Sequence, residues 1–374
     1  MALSLGSRKN SSVVGLDIEA ATVAATEVVV NGDVRLGRSG IAPIPPGATR
    51  EGEVSDPEAL SAAIKDLFAE HKLPRNVRVG IANQRVVVRA LRLPFIDDDK
   101  ELDSAVRFQA QEDLAMPIDQ SVFDWQRLRP NPELRSEGKM DVVVVAARRE
   151  MVSDLIKVVR DAGLRPVGLD VSAFGLIRAL NRDPDGTQPA QVDPAMGGDT
   201  ASDATPLPPI APAKLFCSLG DNTNLAVARN GDCLFTRVST FGIEGIAQRL
   251  AERRELTLEH ARQWLGHVGV EAPAETLEGD PAIVEAARDS LEDGVAKLAD
   301  EMRLSLDYYG TQEGAVAIEE IVVCGPGAVI PGVPARLEQH LGYAIRVGRP
   351  PALAGLDAAD AARLTLPFGL GLDE

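Results

Sequence analysis

The stretch VVGLDIEAATVA, residues 13–24, predicts a strand, a turn of small residues and a second strand. The first apolar run ends at Asp17, and the apolar pattern resumes after Thr22. One carboxylate at the end of a buried strand is typical of loops that hold a metal-bound phosphate. Glu19 stands at the tip of this turn, where its charge would repel a phosphate. The stretch therefore predicts the shape of a phosphate loop and leaves its occupancy open.

The charge of the chain argues against several classes of ligand. Its 374 residues carry 39 Lys and Arg against 56 Asp and Glu, a formal net charge of −17. This charge opposes binding to nucleic-acid backbones and to anionic lipids. The longest apolar runs, such as residues 142–147, are far shorter than the roughly 20 residues that span a bilayer, and the N-terminus has no apolar signal region. We expect a cytosolic protein with no nucleic-acid ligand and no direct membrane insertion.

The cysteines and histidines do not indicate metal or disulfide chemistry. Cys217, Cys233 and Cys324 lie in or beside apolar strand-like runs. An odd number of such thiols is typical of buried free cysteines in a reducing compartment. The four histidines show no ligand spacing with cysteines or clustered acids, so no imidazole metal site is predicted.

The chain reads as an α/β protein of two related halves. Residues 13–38 follow the order strand, turn, strand, turn, strand, and residues 215–238 repeat it. A long helix is predicted at 281–309, because its apolar residues step by three and four and Asp280 precedes it as a cap. The predicted domains are domain I at 11–182, a disordered linker at 183–213 that is poor in large apolar residues, and domain II at 214–374 with a helical subdomain at about 245–318.

A small α+β subdomain is predicted within domain I, at residues 87–165. It contains the strand-like VVVRALRLP and the continuously apolar DVVVVAARR, which indicates a strand covered on both faces. Between them lies ELDSAVRFQAQEDLAM, a predicted helix. One face of that helix carries apolar residues spaced four apart: Leu102, Val106, Ala110 and Leu114.

Three turns are candidates to line one cleft between the halves. The first follows Asp17, the second is SLGDNTN at 218–224, and the third is CGPGA at 324–328, between a buried-type strand and a helix. Glycines let a ligand approach the backbone, and a helix N-terminus favours an anion. Taken singly, each turn is more often a tight connection than a ligand site.

The order and spacing of these turns resemble the actin-like ATPase superfamily, whose ribonuclease H-like domains clasp a nucleotide between two phosphate loops and an adenosine loop. The closer resemblance is to the PilM family of cytoplasmic type IV pilus assembly proteins, related to FtsA. It spans nearly the whole chain apart from the linker. The segments that carry it are VVGLDIEAATVAA, VVVRALRLPFIDDDKELDSAVRFQAQEDLAMPID, VVVVAARREMVSDLIKVVRDAGLRPVGLDVSAFGLIRAL, FTRVSTFGIEGIAQRLA, DEMRLSLDYY and CGPGAVIPGVPARLEQHLGYAIRV.

This resemblance implies an actin-like two-domain fold with an inserted α+β subdomain, and a site for ATP with Mg²⁺. Asp17 would hold the Mg²⁺, and Asp221 would stand in for an aspartate missing from the second loop. By matching positions, the implied nucleotide-site residues are Asp17 and Thr22 in the first phosphate loop, Gly220, Asp221 and Thr223 in the second, Gly242 beside them, Gly325 and Gly327 against the adenosine, and Glu301 near the base or ribose.

Four positions depart from the pattern of the superfamily. Glu19 stands where a glycine is expected, Ala24 replaces a lysine, Ser218 an aspartate and Ile243 a second glycine. A carboxylate ~5 Å from a phosphate charge repels it by about 3 kcal/mol at an effective dielectric constant near 20. These departures predict a weakened phosphate site and an incomplete set of groups for hydrolysis. No catalytic residue is assigned, and binding of ATP stays open.

The resemblance also implies a partner. In this family the protein binds the N-terminal cytoplasmic peptide of the membrane protein PilN, between the main domain and the inserted subdomain. It thereby joins the inner-membrane alignment complex, at the inner face of the membrane, with pilus motor ATPases as further possible partners. The strand at residues 86–94 is suited to receive an extended peptide. The candidate contact residues are Val87, Arg89, Leu91, Arg92 and Leu93.

Three alternatives stay open at this point. An FtsA-like filament-forming ATPase normally ends in an amphipathic membrane helix, whereas this sequence ends in the acidic LTLPFGLGLDE. A small-molecule kinase needs a general base in the cleft, for which Asp17 and Asp170 are the candidates. A plasmid-segregation filament would polymerise with nucleotide.

Overall fold

The computed structural model describes residues 12–31, 33–114, 116–181, 212–312 and 314–372. The predicted linker, 183–213, lies outside the described residues except for Pro212 and Ala213. The strands are β1 (Ser12–Ile18), β2 (Thr22–Asn31), β3 (Asp33–Pro43), β4 (Thr49–Arg50), β5 (Glu53–Val54), β6 (Asn76–Ile81), β7 (Val87–Pro94), β8 (Ser121–Arg127), β9 (Lys139–Arg148), β10 (Arg165–Val171), β11 (Ala213–Leu219), β12 (Thr223–Arg229), β13 (Asp232–Ser239), β14 (Ile318–Cys324) and β15 (Ile345–Val347). The α-helices are α1 (Pro57–Glu70), α2 (Asp99–Asp113), α3 (Pro132–Ser136), α4 (Arg149–Asp161), α5 (Ser172–Leu180), α6 (Ile243–Arg254), α7 (Leu258–Val268), α8 (Pro281–Gly310), α9 (Val333–Leu341) and α10 (Ala358–Gly371).

Two five-stranded sheets share one topology. Their strand orders are β3-β2-β1-β6-β10 and β13-β12-β11-β14-β15. In each sheet the first three strands in sequence pair antiparallel, and the last two run parallel to the first. The repeat predicted from the sequence is therefore confirmed. Because the parallel strands of one sheet end at the same edge, the turns after β1, β6 and β10 share an edge, and so do those after β11 and β14.

Helices α5 and α10 lie between the two sheets and join the halves. One core combines Val28 of the first sheet, Leu176 of α5, Phe216 of the second sheet and Phe368 of α10. The outer face of the first sheet is covered by α1 and α4, and that of the second by α6, α7, α8 and α9. The free cysteines Cys217, Cys233 and Cys324 are buried in these cores, as predicted.

Helix α8 closely matches its prediction. The Asp280 side chain accepts a hydrogen bond from the N–H of Ala282 at 2.9 Å, and Pro281 takes the first helical position. The helix continues one residue beyond the predicted end, to Gly310. In the described part of the chain, no helix is long and apolar enough to cross a membrane.

The inserted segment forms a third sheet of order β7-β9-β8. The predicted apolar stripe of α2 covers it, with Leu102, Val106 and Ala110 fully buried against Val142 and Val144 of β9. Helix α4, which the predicted 87–165 segment includes, instead packs on α1 and contributes to the core of the first sheet. One face of the third sheet thus packs on α2, its other face contributes Val88 and Val143 to the core between the halves, and α4 packs on the main body.

Substituting Gly369 with alanine is expected to destabilise the protein by about 2 kcal/mol, the usual cost of overpacking. A Cβ at Gly369 would overlap the carbonyl oxygen of Gly175, where α10 crosses the backbone of α5. Thermal unfolding measures the effect. Gly355→Ala is the matched control, since nothing lies within 4 Å of a Cβ there; equal stability of the two variants would contradict the close crossing.

Candidate functional site

The turns after β1 and β11 face each other across the two halves. Ala21, in the first turn, donates its N–H to Asp221 Oδ2, in the second, at 2.8 Å. The side chain of Glu19 also reaches the second turn, because a Cβ built on Gly220 would overlap Glu19 Oε1. Two turns 200 residues apart in sequence thus meet directly, as the predicted first and second loops require.

Local hydrogen bonds explain the shape of both turns. In the first, Asp17 is buried and pairs with Ala24 across the hairpin, and the N–H of Glu19 donates to the carbonyl of Thr22 at 2.9 Å. In the second, the buried Thr223 hydroxyl donates to the carbonyl of Phe241 at 2.7 Å. That hydroxyl holds the second turn to the segment before α6, so it is already satisfied within the protein.

The third turn, after β14, packs against the end of β11. Gly325 has a φ of 84°, a conformation that favours glycine, and a Cβ there would lie 3.0 Å from backbone atoms of Leu219. A Cβ on Gly327 would lie 2.6 Å from Ile243 Cγ1. Both glycines therefore allow the third turn to pack closely on β11 and α6, next to the second turn.

Of the two remaining predicted nucleotide-site residues, one lies at the second turn and the other does not. Gly242 precedes α6, and a Cβ there would overlap the carbonyl of Asp221, so it packs on the second turn. Glu301 lies partly exposed on α8, and its carbonyl accepts a hydrogen bond from Ser305 Oγ. Among the described residues no hydrogen bond or ion pair joins Glu301 to the three turns.

Asp17, Glu19 and Asp221 form a cluster of three carboxylates, here called the carboxylate cluster. Burial raises the pKa of Asp17 to about 7, and the charge of Asp221 adds to the rise. Burial likewise raises the pKa of Glu19 well above its usual range, although part of the residue stays exposed, and the charges of Asp221 and Asp17 contribute. The pKa of Asp221 is raised by burial and by Glu244. Near neutral pH the cluster therefore resists holding three negative charges.

Arginines that no sequence motif indicated partly offset this charge. Arg363 of α10 donates to Thr22 Oγ1 at 3.3 Å, and its charge lowers the pKa of both Glu19 and Asp221. Arg262 of α7 makes two hydrogen bonds to the buried Glu244, of 2.9 and 2.6 Å. Arg363 lies 341 residues from Thr22 in sequence, so no local pattern would reveal it.

The residues between the two turns do not fit a phosphate. The Glu19 carboxylate fills the space against Gly220, and the backbone N–H of Asp221 interacts with it. A carboxyl group of the chain itself thus lies where a phosphate would meet the second turn. Ala24, where the resemblance leads one to expect a lysine, is buried in the core between the sheets and supplies no cation.

The two other positions that depart from the superfamily pattern supply no positive charge in place of the missing lysine. Ser218 and Ile243 are both buried, at 6% and 8% exposed. Within the described ranges, no set of three or more His, Cys, Asp and Glu side chains is arranged to hold a metal ion. Asp170, the second candidate for a general base, forms an ion pair with Arg178.

The predicted partner-contact residues all lie on β7, one of the two outer strands of the third sheet. Leu91 and Leu93 are buried against α2, and Val87 packs on the same core. Arg92 pairs with Asp141 of β9, at 2.9 Å from Nε to Oδ1. Arg89 reaches the second half, where its Nη2 donates to Tyr308 Oη at 3.0 Å. The backbone of β7 and Arg89 are thus more accessible to a partner than the two leucines.

Comparison with known proteins identifies the family to which this chain belongs. A family model described as "Type IV pilus assembly protein PilM" matches residues 15–190 and 217–357. Among solved structures, a "PilM-PilN type IV pilus biogenesis complex" superimposes with a TM-score of 0.73 at 24% identity, covering 97% of this chain and 98% of that one. The ethanolamine utilization protein EutJ from Carboxydothermus hydrogenoformans shares the fold with a TM-score of 0.51 at 13% identity, over 96% of this chain and 89% of the other.

The family match covers both repeated sheets, the inserted sheet and the three turns. The duplicated strand order described above is that of the actin-like fold. This chain therefore belongs to the family of the type IV pilus assembly protein PilM and has an actin-like fold with an inserted α+β unit.

Proposed function

We propose that this protein is a cytoplasmic scaffold of the type IV pilus machinery that holds the N-terminal cytoplasmic peptide of a PilN-type membrane protein along β7. Family membership supports the role in pilus assembly. The choice of partner is supported by the fold's similarity to a solved PilM-PilN complex. The observation that carries the proposal is a groove beside the free edge of β7.

This groove, called the β7 groove, has a volume of about 1140 Å³. The inserted sheet forms one wall, and the end of α8 with the segment before β14 forms the other. Strand β7 pairs only with β9, and no strand among the described residues pairs with its other edge. A free edge presents N–H and C=O groups to which an extended peptide can add as a further strand.

Around Tyr308 the side chains of the β7 groove suit an apolar residue of a peptide next to an acidic one, while Asp113, Glu137 and Asp141 give the rest of its lining a mixed charge. Tyr308 is 45% exposed, and the Arg89 guanidinium lies 5.8 Å from the centre of its ring. An aromatic ring that stacks on an arginine offers an apolar surface beside a positive charge. Because Arg92 is paired with Asp141, Arg89 is the better candidate to meet an acidic residue of the peptide.

The peptide would hold the protein at the inner face of the membrane, within the alignment complex, and pilus motor ATPases would be further partners. Binding of ATP with Mg²⁺ is part of this proposal on one condition. A nucleotide requires Glu19 to leave the space against Gly220, and Asp17 is the residue that we propose would hold its metal ion. Recognition of the peptide needs no such rearrangement.

Two substitutions in the β7 groove are expected to weaken binding of the peptide at least tenfold. Arg89→Glu reverses the charge at the Tyr308 contact, and Ala315→Trp fills the groove from an exposed position. Fluorescence anisotropy with a labelled N-terminal peptide of the cognate PilN-type protein measures the affinity. Deleting residues 87–165 is unsuitable as a test, because it removes α4 from the main core.

The controls repeat each chemical change outside the groove. Arg50→Glu and Ala354→Trp alter exposed residues that do not line it, and both should bind the peptide like the unaltered protein. Full affinity in both groove variants would show that the peptide binds elsewhere.

A further inference from the structure

A second cavity lies between the two halves, apart from the carboxylate cluster and the β7 groove. Its volume is about 290 Å³. Its walls come from the ends of β6 and β10, from the start of α5, and from β12 and β13. None of the described residues that line it belongs to the carboxylate cluster, and none is an aspartate or glutamate. It is called the interdomain pocket below.

Asn224 lies in this pocket with its amide unsatisfied. It is 4% exposed, and neither its Oδ1 nor its Nδ2 has a hydrogen-bond partner among the described residues. It occupies β12, whose first six residues are all buried, and its neighbours Leu225, Ala226 and Val227 are apolar core residues. An unpaired buried amide is costly, so its presence here calls for a partner that both accepts and donates a hydrogen bond.

The start of α5 supplies further donors to the same pocket. Ala173, in the first turn of this nine-residue helix, lines the pocket, and the N-cap residue Val171 has no side chain that caps the helix. The first N–H groups of a helix have no partner within it, and together with the helix dipole they favour an anion. The unsatisfied Asn224 is an independent observation that points to a ligand at the same place.

No acidic side chain among the described lining residues opposes an anion in this pocket. Arg237 of β13 is also a lining residue, but its side chain leaves the sheet on the face opposite to Asn224, because Arg237 pairs with Leu225 and Asn224 pairs with Val238. In a chain with a net charge of −17, a pocket whose described lining includes no aspartate or glutamate is electrostatically distinct from its surroundings.

We propose that the interdomain pocket binds a small oxyanion that carries a hydroxyl group next to its charged oxygens. The charged oxygens accept from the first turn of α5 and from Asn224 Nδ2, while the hydroxyl donates to Asn224 Oδ1. A hydroxy-carboxylate and a hydroxyl-bearing phosphate monoester share this chemistry. The site is separate from recognition of the pilus partner and does not depend on it.

Calorimetric titration at pH 7 tests the proposal with four probes. Glycolate and glycerol 3-phosphate represent the two sources of the anion, and we expect one of them to bind with a Kd of about 1 mM. Acetate lacks the hydroxyl and ethylene glycol lacks the charge, so each should bind at least tenfold more weakly. Absence of binding by both hydroxylated anions, or equal binding of acetate and glycolate, would overturn the proposal.

Two variants locate the binding. Asn224→Leu and Asn224→Asp should each weaken binding at least tenfold, because the first removes both amide hydrogen bonds and the second places a carboxylate against the anion, whereas Arg50→Gln, outside the pocket, should not change it. Asn224→Leu should unfold at the same temperature as the unaltered protein or higher when no ligand is added, because an unsatisfied buried amide is removed. Unchanged affinity in both pocket variants would show that the anion binds elsewhere.

Discussion

Replacing Glu19 with glycine is expected to raise the affinity of this protein for Mg-ATP by about 100-fold. The Glu19 carboxylate fills the space against Gly220 and takes the interaction of the Asp221 N–H that a phosphate would otherwise use. Removing a negative charge ~5 Å from a phosphate is worth about 3 kcal/mol at an effective dielectric constant near 20, which corresponds to roughly two orders of magnitude in Kd. Calorimetric titration with Mg-ATP at pH 8 gives the comparison.

A second variant separates charge from volume. Glu19→Gln removes the charge and keeps the size of the side chain, so it should show the part of the gain that comes from the charge alone, and any shortfall against Glu19→Gly measures the effect of the side-chain volume. Glu275→Gln makes the same chemical change at an exposed residue in the second half and should leave the affinity unaltered. If neither Glu19 variant binds Mg-ATP more tightly than the unaltered protein, the carboxylate is not what keeps a phosphate out.

Local sequence patterns predicted the elements that are defined by their own periodicity. The hairpins of both sheets, the stripe on α2 and the capped helix α8 follow from residues within one element or one turn. The repeat of strand, turn, strand then placed the first and second turns at equivalent edges of the two sheets. These features are encoded locally, so a single sequence shows them.

Features that depend on distant segments could not be predicted in the same way. The apolar stripe of α4 indicated a buried face but not that this face packs on α1 and the first sheet. Arg89 and Arg92 look alike in the sequence, yet one contacts Tyr308 across the halves and the other pairs with Asp141. A periodic pattern shows that a face is covered and does not show by what.

The candidate site also combines features that the local sequence predicts with features that depend on distant segments. The sequence identified Glu19 as a residue at odds with phosphate binding, and the structure adds where its carboxylate lies. Neither Arg363 of α10 nor the pair of Arg262 and Glu244 was indicated by any motif, because each reaches the cluster through the tertiary fold. Asn224 ends the predicted second turn, but nothing in the sequence shows that its amide lies unpaired in a pocket beside the start of α5.

Replacing Asp17 with asparagine is expected to stabilise the protein at pH 8 and to flatten the pH dependence of its stability between about pH 4 and pH 7. In the folded protein the pKa of Asp17 is raised from 3.8 to about 7, first by burial and then by Asp221. The folded protein therefore holds this proton more tightly than the unfolded chain. The stability that this provides is complete below the pKa of the unfolded chain and is lost as the pH rises through the folded value.

A shift of this size corresponds to on the order of 4 kcal/mol, which the coupled carboxylates share. The charged groups that face Asp17 and the rest of the cluster are Glu19, Asp221, Glu244, Arg262 and Arg363. Because the pKa values of Glu19 and Asp221 are also raised, their titration acts in the same direction.

Urea unfolding of both proteins at pH 5, 6, 7 and 8 isolates the contribution of Asp17, since the effects of all other groups largely cancel in the difference. That difference should grow with pH and level off above about pH 7, whereas it should stay constant for the exposed Asp66→Asn control on α1. Parallel curves for the Asp17 variant and the unaltered protein would mean that the folded protein does not bury a carboxylate at the end of β1 against the opposing turn.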